Sequence, residues 1–253
     1  MTSRAKDRNL RVSVARRLMI DLMWASAGMA RVNVTRLVKL SDVMSARRVL
    51  ADPPSLTAIF VKAFALVAVE MPELRRVYMK WPWPHLHEYA DNTVSIPHEA
   101  QIMGDIGLLP LRLRQPDLLS LRLLSERIRR AADEPIEASR FNRSLLAFAR
   151  WPVFVRRPIS ALCLNVPRLR RYIIGTYSIS SVSQWQGELG QAIAPVACLL
   201  SYGPTDSSGY VRVRLNFDHR IFDGAFAARA LTRLDQVLNS SLLQELRNLG
   251  VTV

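Results

Sequence analysis

With 253 residues, 49% of them apolar and 22% charged, the chain can bury a sizeable core and has the composition of neither a disordered nor a fibrous protein. Its 35 basic residues stand against 21 acidic ones, a formal charge of +14, and only four of the basic side chains are lysine. That arginine bias suits planar contact with phosphate or carboxylate, a footprint shared by nucleic acid, anionic membrane, an acidic carrier protein, a phosphorylated cofactor and arginine-rich genomic composition. No zinc-finger spacing and no aromatic RNA-binding signature accompanies it, which sets nucleic acid aside.

Residues 10–31 read as a helix. Within them "RRLMIDLMWASAGMA" has the basic start, apolar middle and small-residue end of a secretion signal. Asp21 interrupts the apolar run, however, and inward-facing Leu18, Leu22 and Met23 account for it as a helix. "MARVNVTRLVKLSDV" alternates Val32, Val34 and Leu37 with polar residues, a strand that yields to a helix near Ser41. Residues 55–70 form an apolar helix closed by Met71 and Pro72. "MKWPWPHLHEY" reads as a proline-stiffened loop with packed tryptophans, and "HLHEYADNTVSIPHEA" as strand, turn and strand. "DLLSLRLLSERIRRAADEP" is an amphipathic helix ended by Pro135; strands dominate 171–217, and a last helix covers 223–239.

The longest uncharged run, Leu189 to Thr205, is broken by Gly190, Pro195 and Pro204 and is too short to span a bilayer, so a cytoplasmic protein is expected. Cys163 and Cys198 lie in apolar runs, as small buried hydrophobes do, and two thiols cannot build a structural zinc site alone. Interleaved helices and strands, with no internal repeat and no glycine- or serine-rich linker, argue for one α/β (α+β) domain over residues 1–253, a mixed β-sheet flanked by helices.

Residues 140–171, "RFNRSLLAFARWPVFVRRPISALCLNVPRLRR", hold eight arginines and no acidic residue, with Trp151 and Phe154 among them. One reading is a helical insertion with a solvated basic face. The other is a surface that lies on anionic lipid, a peripheral membrane contact, or receives an acidic partner.

Several chemistries lack their residues. No G-x-G pair exists, no glycine precedes a lysine as in a phosphate-binding loop, and no G-x-S-x-G elbow is present. His85, His87 and His98 have no cysteine or clustered carboxylates beside them, so no metal is expected. The stretch "LNFDHRIFDGAFAARAL" remains. Val211, Val213, Leu215 and Phe217 share one strand face, and His219 continues that parity, which points it inward. Phe226, Ala227, Ala230, Leu231, Leu234 and Leu238 then trace a helix face, with Asp223 at the N-cap. By themselves these residues fit an inward core histidine, a capping aspartate and a turn glycine. They also fit a base, because an imidazole titrates near neutrality and can take a proton from a thiol or hydroxyl.

"DHRIFDG" resembles the D-H-R-x-x-D-G signature of the dihydrolipoamide acyltransferases of 2-oxo acid dehydrogenase complexes. Its shorter form, H-x-x-x-D-G, is shared with chloramphenicol acetyltransferase and peptide-synthetase condensation domains. "GTYSISSVSQW" is similar to the G-T-F-T-I-S-N-L-G segment of the same acyltransferases, "SLTAIFVKAFALVAVEMPEL" to their helix ending in x-P-x-L-N, and "LLSLRLLSERIRRAA" to their S-L-x-E-L-A-x-E-I helix. The resemblance touches most of the chain in the right order. It implies the chloramphenicol acetyltransferase-like two-layer fold, His219 as general base, Ser180 as donor to the oxyanion of a tetrahedral intermediate, and Asp223 as the residue that orders the loop. It also implies a homotrimer with active sites between subunits, the histidine and serine coming from different chains. From the residues alone, Ser180 shares a polar strand face with Thr176 and Ser178.

Departures accompany the likeness. No lipoyl domain and no subunit-binding domain precede the motifs, Ser181-Val182-Ser183 stands where the family has N-L-G, and Arg75 replaces the asparagine after P-x-L. The expectation is a free-standing acyltransferase, with a coenzyme A thioester or a phosphopantetheinyl acyl carrier protein as donor and a thiol, hydroxyl or amine as acceptor. A non-catalytic trimeric scaffold of the same fold and a charge-driven membrane-surface module are the competing readings.

Overall fold

The computed structural model describes residues 7–250. Helix α1 (Val14–Ser26) leads into strand β1 (Arg31–Lys39), followed by α2 (Ser41–Arg48) and α3 (Leu56–Glu70). Strands β2 (Arg76–Met79), β3 (His85–Glu88), β4 (Thr93–Ile102) and β5 (Asp105–Arg114) come next. Four helices follow: α4 (Leu121–Asp133), α5 (Arg140–Ala149), α6 (Val153–Asn165) and α7 (Pro167–Ile174). The chain ends with β6 (Tyr177–Ser181), β7 (Cys198–Thr205), β8 (Tyr210–Asp218), α8 (Gly224–Asn239) and α9 (Ser241–Leu249). Local chemistry sets the helix starts: Ser13, Ser55, Ser120, Ser139 and Asp223 each accept a hydrogen bond from the backbone N–H three residues on.

Six strands form one mixed sheet in the order β1-β8-β7-β6-β4-β5, with β6 parallel to both its neighbours and the other pairs antiparallel. Apolar on almost every side, α3 is buried along most of its length, as such a helix must be. Phe60 of α3 stacks on Tyr202 at 4.1 Å between ring centroids, and Phe64 meets Tyr177 edge-on at 4.9 Å. Helix α8 lays Ala227, Ala230, Leu231, Leu234 and Leu238 into the same core, opposite Val211, Val213, Leu215 and Phe217 of β8.

The segment 85–100 is strand, turn and strand, as its pattern reads, but its two strands have different partners: β3 pairs with β2 in a separate two-stranded ribbon, because Arg76–Met79 supplies its partner, while β4 joins the main sheet. Two expectations change. Residues 171–217 are less strand-rich than their pattern suggests, since α7 runs to Ile174 and a loop occupies 182–197. Trp81 and Trp83 are not packed; they stand 71% and 66% exposed on the β2–β3 turn.

Thr176 and Ser178 are sutures rather than solvent-facing hydroxyls. The Thr176 hydroxyl accepts from the Thr93 N–H and donates to the Thr93 carbonyl, both at 3.0 Å, and Ser178 donates to the Ser95 carbonyl at 2.7 Å. Gly175 makes this seam reachable, with φ at +89° and ψ at −175°, a conformation reserved for glycine. A Cβ there would come within 2.7 Å of the Thr93 carbonyl oxygen, whereas one on Gly190 would meet nothing within 4 Å. Gly175→Ala is expected to cost about 3 kcal/mol, a fall in Tm of roughly 6–12 °C, with Gly190→Ala near neutral; thermal unfolding of both variants checks it.

Candidate active site

β8 ends at Asp218, and the turn that follows decides where His219 goes. The Ile221 N–H bonds back to the Asp218 carbonyl at 2.9 Å, closing a turn that breaks the strand parity. Ile221 and Phe222 therefore take the inward positions, and His219 is exposed, not buried as its parity implied. Its backbone is nonetheless fixed: the His219 N–H donates to the Ala30 carbonyl at 2.8 Å, and its ring lies 5.8 Å from that of Phe217.

Asp218 itself is 1% exposed. Its carboxylate accepts a two-pronged grip from Arg220, Nε at 2.9 Å and Nη2 at 2.6 Å, and the Arg220 backbone N–H at 3.2 Å. Arg220 also lies over the Tyr78 ring at 4.5 Å, so the β2–β3 ribbon starts beside this turn. Two more guanidinium groups face the same carboxylate. Arg31 pairs with Asp218 across β1 and β8, and Arg170 is buried nearby, donating to the Pro195 carbonyl at 2.8 Å. Burial lowers the pKa of Arg31, an effect that Asp218 opposes, and lowers that of Arg170 to about 10. Burial also pushes the Tyr89 hydroxyl and the Cys198 thiol up to about 12 each, so Cys198 is an inert thiol.

Asp223 is exposed and caps α8, its Oδ1 accepting from the Phe226 N–H at 2.8 Å. The carboxylate–arginine pairing at this turn belongs to Asp218. Half-buried at the end of β6, Ser180 is followed by a turn that Ser181 holds, donating to the Tyr202 carbonyl at 2.8 Å and accepting from the Ser183 N–H at 3.1 Å. On the same sheet face, Ser201 Oγ and both amide atoms of Asn216 are buried without a hydrogen-bond partner. One chain does not join Ser180 to His219. Ser180 pairs with Ser201, which pairs with Arg214, five residues before His219, so the two Cα atoms lie roughly 15–20 Å apart.

No protein-family profile and no curated protein sequence matches the chain. Solved structures do. Dihydrolipoamide acetyltransferase of Azotobacter vinelandii superposes over 94% of this chain and 94% of its own, with a TM-score of 0.69 at 17% identity. The catalytic core of the 2-oxoacid dehydrogenase multienzyme complex of Thermoplasma acidophilum covers 92% of this chain and 99% of its own, TM-score 0.66, 19% identity. Chloramphenicol acetyltransferase follows at 87% and 94%, TM-score 0.54, 11% identity. The chain has the acyltransferase-core fold. In the Azotobacter enzyme, the catalytic mechanism has been investigated at a serine, a histidine and an asparagine four residues beyond it.

Within this acyltransferase-core fold, the residues that sequence reasoning passed over are Asp218 and Arg220, which flank His219 in the quoted motif, and Arg31 across the ladder. The signal was the acid–base pair on either side of the histidine. The other histidines do not gather: His85 and His87 lie on the ribbon and His98 on β4 of the main sheet, and among the described residues no grouping of three or more His, Cys, Asp or Glu could hold a metal ion.

Removing Arg220 strands a buried carboxylate, though Arg31 and Arg170 still face it. Arg220→Ala is therefore expected to lose ~3 kcal/mol, the low end for a broken buried pair. Asp223→Ala should lose ~1 kcal/mol as a missing cap, while Asp223→Asn, which still caps, stays within a few tenths. Urea unfolding of the three variants ranks them.

Proposed function

We propose that the protein is an acyltransferase that moves an acyl group from a thioester, of coenzyme A or of a phosphopantetheinyl carrier protein, to a thiol, hydroxyl or amine. His219 is the general base. Its imidazole accepts the proton of the acceptor's S–H, O–H or N–H as that atom attacks the thioester carbonyl carbon. Ser180 Oγ donates a hydrogen bond to the oxyanion that forms. The C–S bond then breaks, and the departing thiolate takes the proton back from the imidazolium, leaving the base ready for another cycle.

The observation that carries this reading is the gap between Ser180 and His219 within one chain, taken with the exposure of His219 on an immobilised backbone. A histidine of this kind suits a site completed by a second copy, Ser180 of one subunit facing His219 of the next. A homotrimer closes such a head-to-tail arrangement with equivalent sites. The acyltransferase-core fold and the spacing of the acidic residue four positions after the histidine support the same assignment.

The test is thiol release from a panel of acyl-coenzyme A thioesters, with pooled small-molecule extract as acceptor. His219→Ala should lose about 100-fold or more and Ser180→Ala on the order of 100-fold, each with the wild-type fold and mass. Unfolded together, mixed equally and refolded, the two variants should recover about a quarter of wild-type activity, because one interface in four then pairs an intact histidine with an intact serine. Recovery fails if both residues serve within one chain, and equal rates in wild type and His219→Ala would leave the fold as a scaffold.

A further inference from the structure

Three segments distant in sequence meet at one end of the molecule: the start of α1, the turn between α5 and α6, and the turn between β4 and β5. Between the first two lies a groove of about 540 Å³. Val12, Ile20, Trp151 and Val153 supply its apolar walls, Arg11, Arg17 and Arg150 stand around it, and no carboxylate lines it. Its remaining arginine, Arg156, is turned inward, 3.4 Å from Asp21. Phe154, 75% exposed, projects beside the groove, and Arg150 reaches across to the exposed Met103 of the β4–β5 turn, Nη2 to Sδ at 3.2 Å.

We propose that this face docks on the surface of an anionic phospholipid bilayer. Large apolar side chains held outward cost free energy in water, and the arginines around the groove, with Asp105 at the start of β5 bonded to Ser13 as the acid nearby, repel any partner that carries the same charge. A second copy of the chain would bring the same arginines to the contact. A bilayer with anionic headgroups meets both demands: Trp151, Val153 and Phe154 enter the boundary between headgroups and acyl chains, and the guanidinium groups bind the phosphates above them. Among the described residues no helix is long and apolar enough to cross a membrane, so the contact is one of lying on the surface. The proposal is independent of the acyl-transfer reading.

Co-sedimentation of the full chain with phosphatidylcholine vesicles, with and without phosphatidylglycerol, tests it. Anionic vesicles should bind at least about tenfold more tightly than neutral ones, and added salt should erase the difference. Arg11→Gln, Arg17→Gln and Arg150→Gln together should weaken binding roughly a hundredfold. The same charge removed at Arg122, Arg127 and Arg229, exposed on α4 and α8, should cost far less. Trp151→Ser with Phe154→Ser should lose about tenfold or more, since both side chains are exposed and their loss leaves the core intact. Equal effects of the two arginine sets, or full binding by the Trp151/Phe154 variant, overturns the proposal. So does a change in that variant's oligomeric mass, which would make this face a contact between copies, and so does competition by a soluble acidic polypeptide that leaves the aromatic pair irrelevant.

Discussion

The carboxylate of Asp218 is where strand, turn and helix are tied together. Its position at the last rung of β8, opposite Arg31 of β1, fixes where the sheet stops. Arg220 then closes over it from two residues further on, and in doing so sets the direction in which His219 leaves the sheet. A buried ion pair of this kind adds little net stability over an apolar pair of the same shape. What it supplies is a single geometry: an apolar substitute would fill the volume without specifying the turn. The core beneath it, with Phe217 stacked on Phe222 at 4.9 Å, provides the rigid floor.

The arginines divide into two populations, and the division explains why net charge alone said so little. Many of them stitch the chain to itself. Arg75 donates to the carbonyls of Ala68, Tyr89 and Ala90, tying the end of α3 to the turn before β4. Arg31 reaches the Ala194 and Val196 carbonyls, and Arg214 those of Leu189 and Gly190, so the loop 182–197 is held down by guanidinium forks rather than by strand pairing. Of the eight arginines in 140–171, Arg156 and Arg170 are buried and Arg171 pairs with Asp91. A fork with five donors can satisfy several carbonyls that a loop would otherwise leave bare, which lysine cannot match. Only the remainder makes a surface field.

What the sequence revealed follows the same physical line. Patterns with a local cause were legible: the apolar run of α3, the alternating valines of β8 and the helix capped by Asp223 all lie where their spacing puts them. Less legible were features that depend on a distant partner. β2 has four residues and no pattern of its own until β3 pairs with it, and β5 needs β4 to define its faces. The inward assignment of His219 failed because alternation holds only while the strand continues, and a strand end is set by Asp218, Arg220 and Arg31 together. Thr176 and Ser178 read only as members of a polar strand face with Ser180, whereas their hydroxyls serve the neighbouring strand.

The proposed site asks for two things at once. An oxyanion donor gains its strength where water is excluded, and a base works best on a proton held at fixed distance. In one chain Ser180 is half-buried, His219 is exposed, and the unpartnered atoms of Ser201 and Asn216 lie on the same sheet face as Ser180. Ser201 and Asn216 are buried, 2% and 0% exposed, and leaving such polar groups unpaired costs about 1–3 kcal/mol each. Apposition of a second copy would remove water from serine and histidine together and bring their functional atoms within reach of one carbonyl. On the proposed reading assembly and activation would be a single event, with His219 held by the Ala30 carbonyl and Ser180 held by its pairing with Ser201 of β7 before the two surfaces meet.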